Sequence, residues 1–138
     1  MENFKKFITN KKSIISLLIA VLICLSFQIT AYAASTSFEK NLTGKNNYTL
    51  CTGTKTTNND YVSFRLTKGN TLNVWAGYQT SGIIITETII IKTSDTSAHK
   101  AYFRALVNPE IGDKLRARGE LNTSSSSIVT CKGYVDFR

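Results

Sequence analysis

The stretch "KLRARGELN", residues 114–122, decides how this chain folds. Charged side chains alternate in it with apolar or small ones, and a period of two places successive side chains on opposite faces of a β-strand. Helical spacing would instead scatter the charges around the axis. The inward face carries Leu115, Ala117, Gly119 and Leu121. The outward face carries Lys114, Arg116, Arg118 and Glu120. The pattern predicts a half-exposed strand of an antiparallel sheet.

The same alternation recurs along the chain between clusters of Gly, Asn, Ser, Thr and Asp, and helical periodicity is almost absent. It is clear in "YVSFRLT" (61–67) and in "IVTCKGYVDFR" (128–138). The residues "KGN" (68–70) tolerate tight reversal, which predicts a hairpin between "YVSFRLT" and "TLNVWAGY" (71–78). The stretch "IIITETIIIKT" (83–93) is apolar on both faces, which predicts a central strand or one partly covered by a connection.

Seven or eight short strands without a helix predict an all-β fold, an antiparallel β-sandwich of Ig-like or jelly-roll type. A small barrel is the alternative. The chain is long enough for one domain with one modest core.

The first 33 residues have the layout of a signal peptide. Four lysines precede an apolar run from about Ile14 to Phe27, and Ala31-Tyr32-Ala33 fits the small-x-small cleavage pattern. We therefore predict cleavage after Ala33, with residues 34–138 secreted to the extracellular space. An uncleaved anchor is disfavoured because the apolar run is shorter than the roughly 20 residues that span a bilayer. Membrane contact is then expected only through the uncleaved segment. A lipoprotein modified at Cys24 is disfavoured because Ile23 precedes it.

Two cysteines remain after cleavage, Cys51 and Cys131. Export to an oxidising space favours their pairing, so we predict a disulfide that joins an early strand to the last one. No metal site is expected, because His99 is the only histidine and the chain has no CxxC pair.

The leader carries four of the 17 basic and one of the nine acidic residues, so residues 34–138 keep 13 and eight, a net charge of +5. This balance favours anionic surfaces such as cell-wall polymers, although it also serves solubility. The cations are scattered singly, and no nucleic-acid motif is present. A lone histidine without a nucleophile motif, and acids without a paired motif, predict no catalytic residues, no cofactor and no enzyme.

Two groups of outward side chains are candidates for surface binding. Trp75, Tyr61 and Tyr134 fall on the solvent parity of their strands, where aromatic rings can stack on sugars, insert at lipid interfaces or contact a protein. Packing under a loop or a dimer partner explains the same parity, and we favour packing. The basic ladder Lys114, Arg116 and Arg118 predicts an anionic-surface patch if Lys132 and Arg138 lie on a neighbouring strand. Protection of an edge strand explains the same ladder without a ligand, and we favour that explanation.

Four stretches, "KLRARGELN", "CKGYVDFR", "TKTTNNDYVSFRLT" and "LNVWAGY", give the chain the pattern of a secreted sheet protein. In these stretches it resembles small exported β-rich proteins of Gram-positive bacteria, a largely uncharacterised family. The resemblance implies export and a sandwich-like domain, and it carries no catalytic residues to transfer.

The leading functional hypothesis is a non-catalytic secreted binding module whose partner is an anionic cell-surface polymer or an extracellular protein. A cationic, bacteriocin-like effector that acts on bacterial envelopes is the alternative. A hydrolase or inhibitor is a third hypothesis, and nucleic acid is not an expected partner.

Overall fold

The computed structural model describes residues 35–138, and the predicted signal peptide and its cleavage point lie outside this range. Eight strands form two four-stranded sheets, and every pairing is antiparallel. The strands are β1 Thr36–Leu42, β2 Tyr48–Thr54, β3 Tyr61–Lys68, β4 Leu72–Tyr78, β5 Ile89–Ile91, β6 His99–Tyr102, β7 Lys114–Leu121 and β8 Val129–Asp136. No helix that could cross a membrane occurs in this part of the chain.

The strand order is β1-β8-β3-β6 in the first sheet, here sheet A, and β2-β7-β4-β5 in the second, sheet B. The all-β antiparallel sandwich is therefore confirmed. Consecutive strands alternate between the sheets at both ends of the chain, which is the order of an eight-stranded jelly roll rather than of an Ig domain.

The alternation of β7 has the predicted consequence. Its inward residues are all buried: Leu115, Ala117, Gly119 and Leu121. Neighbouring strands of sheet B and facing strands of sheet A contribute further apolar side chains to the same core, among them Phe38, Leu50, Phe64, Leu72 and Val135. The core lies between the sheets, because each sheet turns one apolar face toward the other.

The predicted hairpin between β3 and β4 is wrong. β3 pairs with β6 and β8 in sheet A, whereas β4 pairs with β5 and β7 in sheet B. The turn is an arch across the core, which buries the apolar faces of both strands against each other. Gly69 makes the arch with φ of 112°, and a β-carbon there would come within 2.5 Å of Cys131 Sγ. Turn residues permit a reversal, but they do not choose between a hairpin and an arch.

The isoleucine-rich segment is not a central strand. β5 is three residues long and lies at the edge of sheet B. Before it, residues 85–87 cross between the sheets: Ile85 N–H donates to Ala76 O at 2.9 Å, and Arg104 N–H donates to Ile85 O at 2.8 Å. This part of the segment is itself a connection that closes one side of the sandwich, whereas the prediction had a central strand or a strand covered by a connection.

The other open side of the sandwich lies between edge strands β1 and β2. Two features there disfavour pairing with a further strand. Lys40 pairs in register with Cys131 and so lies on the core face of β1, yet it is exposed. β2 contains a bulge between Thr49 and Cys51. An inward-pointing charge and a bulge both make an edge strand a poor template for another chain.

The structure corrects the disulfide prediction, because Cys51 and Cys131 are both free. Cys51 lies at the β2 bulge, close enough to Lys40 to feel its charge, whereas the Cys131 sulfur packs beside the β3–β4 arch. Burial raises the pKa of the Cys51 thiol to about 12 and also raises the pKa of Cys131. Neither thiol is therefore ionised near neutral pH.

Candidate functional site

The predicted binding residues lie on two opposite outer faces of the sandwich. Tyr61 and Tyr134 are on β3 and β8, on the outward side of sheet A. The remaining four lie on the outward side of sheet B: Trp75, Lys114, Arg116 and Arg118. They cannot form a single site, so each face is described by itself.

The basic ladder lies on β7, which runs between β2 and β4. Edge protection therefore does not explain it. Two of its side chains bind sheet B itself: Lys114 Nζ donates to Thr54 Oγ1 at 2.7 Å, and Arg116 Nη2 donates to Gln79 O at 2.8 Å. Through these hydrogen bonds the ladder binds the ends of β2 and β4, and its side chains keep their positive charge.

The larger anionic-surface patch required β7 and β8 to be neighbours, and they are not. Lys132 lies on β8 in sheet A and Arg138 follows that strand, so both are on the far side of the core from the ladder. Each has an acidic neighbour there: Lys132 Nζ lies 2.8 Å from Glu39 Oε1, and Arg138 pairs with Asp136.

Trp75 has the predicted outward parity, opposite Arg118, but its side chain is only 7% exposed. β4 is a central strand, and Ile84 returns beside Gly77 along its edge, so neighbours surround a large ring at this position. Its Nε1 is the one buried side-chain nitrogen or oxygen of residues 35–138 that has no hydrogen-bond partner. The burial removes Trp75 from the exposed contact residues.

The outward side of sheet A carries three tyrosines, Tyr61, Tyr102 and Tyr134, and we call it the tyrosine face. Tyr102 and Tyr134 are 46% and 47% exposed. Tyr61 meets Tyr102 edge to face, with ring centroids 5.8 Å apart, and Lys100 Nζ lies 4.2 Å from the centroid of the Tyr61 ring. These contacts hold Tyr61 in place, while Tyr102 and Tyr134 present ring surface to solvent.

A pocket of about 360 Å³ opens on the tyrosine face beside Tyr134. Strand register explains it, because Ser63 lies opposite Asp136 and Arg65 lies opposite Tyr134 on β3 and β8. Small residues form a low area between these larger side chains: Ser35, Ser63 and Ala98. The larger side chains around it are Arg65, Tyr134, Asp136 and Arg138.

Of the two arginines around the pocket, Arg138 is paired with a carboxylate and Arg65 is not. Arg138 donates from Nε and Nη2 to Asp136 Oδ2, and its backbone N–H donates to Oδ1 at 3.1 Å. This carboxylate raises the pKa of Arg138. Arg65, in contrast, is exposed and makes no salt bridge or side-chain hydrogen bond with any other residue in the range 35–138.

Sequence reasoning missed Arg65, Tyr102 and Lys100 as site residues. Their outward parity was readable in "YVSFRLT" and in the strand that begins at His99. What the alternation could not show is that β3, β6 and β8 are neighbours, because that depends on the order of strands in the sheet.

Lys55 was also missed, and it is 2% exposed at the end of β2. Its Nζ donates to Asn59 O at 2.5 Å and lies 4.8 Å from the centroid of the Phe103 ring. Its backbone N–H and C=O bind Asp113 O and Gly112 N–H. Burial lowers the pKa of Lys55, and the carboxylates of Asp60 and Asp113 oppose that shift. Lys55 therefore joins the β2–β3 connection to the β6–β7 connection.

Comparison with known protein families, with curated proteins and with solved structures finds no match to this chain. The resemblance to exported proteins of Gram-positive bacteria stays a prediction. The class that the fold defines is a jelly-roll sandwich, and its tyrosine face provides the best-formed candidate site.

Proposed function

We propose that the protein is a secreted, non-catalytic binding module that contacts a cell-surface or extracellular partner through the tyrosine face. The observation that carries the proposal is the pocket beside Tyr134, where an exposed ring and an unpaired guanidinium border the same depression. Its volume of about 360 Å³ is in the range of ligand sites.

Two features of the face favour recognition over packing. Tyr102 and Tyr134 lie two interstrand spacings apart across β3, and their register partners on β3, Tyr61 and Arg65, are four residues apart. The two tyrosines are therefore roughly 16 Å apart along a diagonal of the sheet. Tyrosine offers a large contact area at little cost in conformational entropy. Flat rings at this separation suit an extended chain of sugar or polyol units.

The test is co-sedimentation of residues 34–138 with purified Gram-positive cell walls. Tyr134→Ala is expected to weaken binding at least about tenfold, the effect of removing a central aromatic contact. Ile90→Ala is the matched control, because it truncates a large side chain that is 52% exposed on the other sheet. It should bind like the wild type. Equal binding by both variants, or no sedimentation of the wild type, would overturn the proposal.

A further inference from the structure

We infer that the pocket beside Tyr134 binds an anionic group, a phosphate or a carboxylate, carried on a polyol or sugar chain. This inference rests on the proposed function and names the ligand class of that site. Such anions occur in phosphodiester-linked polyol polymers and in uronate polysaccharides, and the shared chemistry is a hydroxylated chain that bears regularly spaced negative charges.

The first step is the charge of the face. Among the described residues, five outward cations lie on the strands of sheet A or directly after them: Arg65, Lys68, Lys100, Lys132 and Arg138. Three are engaged, Lys132 with Glu39, Arg138 with Asp136 and Lys100 with the Tyr61 ring. Arg65 and Lys68 have no side-chain partner in residues 35–138, and of these two only Arg65 borders the pocket beside Tyr134.

The second step is geometry. A guanidinium presents paired N–H groups that match two oxygens of a phosphate or carboxylate. Arg65 lies opposite Tyr134 in register, so an anion on Arg65 would place its carrier chain against the tyrosine ring. Ser35 and Ser63 add hydroxyls to the same pocket, and neither hydroxyl bonds to another described residue.

The third step is the acidic group in the pocket, because Asp136 would repel an anion if its charge were open. Arg138 covers it with two guanidinium donors and a backbone N–H. The pair is close to neutral as a unit, which leaves the charge of Arg65 dominant at this site.

The basic ladder on sheet B is the competing location for a polyanion. Its Lys114 and Arg116 already donate to protein acceptors, and the aromatic residue beside it, Trp75, is buried. The ladder lacks the combination of an open ring and a free guanidinium that the tyrosine face has.

The experiment measures the affinity of residues 34–138 for three soluble polymers by calorimetry: deacylated poly(glycerol phosphate), polygalacturonate and neutral dextran. We expect at least one polyanion to bind at least about tenfold more tightly than dextran, since a charged hydrogen-bonded contact is lost with the neutral chain. A preference between the two polyanions tells whether phosphate or carboxylate is the natural group.

Two charge-matched variants locate the contact. Arg65→Gln should weaken polyanion binding at least about tenfold, and Arg118→Gln, which removes the same charge on the opposite face, should change it by less than about twofold. Arg65→Lys keeps the charge but loses the paired donors, so its affinity for the polyanion should lie between those of Arg65→Gln and the wild type. Thermal melting of each variant establishes that it is folded.

The outcomes separate this inference from the proposed function. Equal losses for Arg65→Gln and Arg118→Gln would overturn the inference, because general charge would then explain binding. Dextran that binds as tightly as the polyanions, with a loss only in Tyr134→Ala, would overturn the anionic ligand and leave the tyrosine face standing. Absence of binding to all three polymers overturns the inference, and cell-wall sedimentation then decides the proposed function independently.

Discussion

Arg65 and Tyr134 are register partners on β3 and β8, although 69 positions separate them in the chain. The jelly-roll order creates this relationship, because it returns the last strand to a place between the first and the third. The ring and the cation therefore lie on rigid central strands rather than on loops. A site built in this way is positioned by the same hydrogen bonds that stabilise the sheet.

The state of the two thiols gives the first prediction. Residues 34–138, purified without reductant and unfolded in guanidinium, should show two reactive thiols, because Cys51 and Cys131 are unbonded. In the native protein Cys131 should react only on unfolding, since it is fully buried. Cys51 should react slowly, because burial disfavours its thiolate. A labelling time course measures both, and a chain with no titratable thiol contradicts the structure.

Cys51 also predicts how stability depends on pH. The pKa of Cys51 is about 12 in the folded protein against an ordinary value of 9.0. Well below pH 9 the thiol is therefore protonated in both the folded and the unfolded chain, and its ionisation does not reduce the free energy of unfolding. As pH rises from 9 toward 12, the unfolded chain loses this proton first, and stability falls. Cys51→Val should flatten the loss. Denaturant unfolding at pH 8 and pH 10.5 tests it, and parallel losses in both proteins would contradict the assignment.

The strands were predictable from sequence, and their neighbours were not. Alternation identified the inward residues of β3, β7 and β8 because one buried face imposes a period of two on each strand by itself. Whether β3 and β4 pair or face each other depends on contacts far along the chain. For the same reason, the sequence did not show that Tyr134 and Arg65 are neighbours. It also left open a patch that joined the basic ladder to Arg138, which lies on the other side of the core.

Trp75 shows a further limit, because outward parity does not guarantee exposure. Its buried Nε1 lacks a hydrogen-bond partner, a deficit that costs about 1–3 kcal/mol. Trp75→Phe removes that N–H along with some packing, so the free energy of unfolding should change by less than about 1.5 kcal/mol. Trp75→Ala should lose about 3–5 kcal/mol. Urea unfolding followed by circular dichroism gives both values, and a large loss in Trp75→Phe would mean that Nε1 is bonded.

Lys40 predicts association behaviour. It is an exposed charge on the core face of edge strand β1, where it discourages pairing with a second chain. Lys40→Val should produce dimers or aggregates at concentrations where the wild type does not. Lys45→Gln, an exposed lysine in the β1–β2 connection, removes the same charge without exposing the edge. Light scattering compares them, and similar association in both variants would show that net charge, not edge protection, is responsible.

Lys55 provides the last prediction, because a buried ammonium is stable only with its partners in place. Lys55→Met keeps most of the buried stem and removes the charge, together with the cation–π contact to Phe103 and the bond to Asn59 O. Replacing a buried charge with an apolar side chain of similar volume is often close to neutral, so we expect a loss below about 1.5 kcal/mol. Lys55→Ala also removes the stem and should lose about 2–4 kcal/mol.

Comparing the stability of the wild type and Lys55→Met at different pH values separates the effect of the Lys55 charge from that of packing. The folded pKa of Lys55 lies below its ordinary value of 10.5, so between these two values the unfolded chain binds the extra proton. Wild-type stability relative to Lys55→Met should therefore rise as pH increases through the folded pKa toward 10.5. Denaturant unfolding of both proteins from pH 7 to pH 10.5 measures the difference. A constant difference would mean that the Lys55 ammonium is as well solvated in the fold as in the unfolded chain.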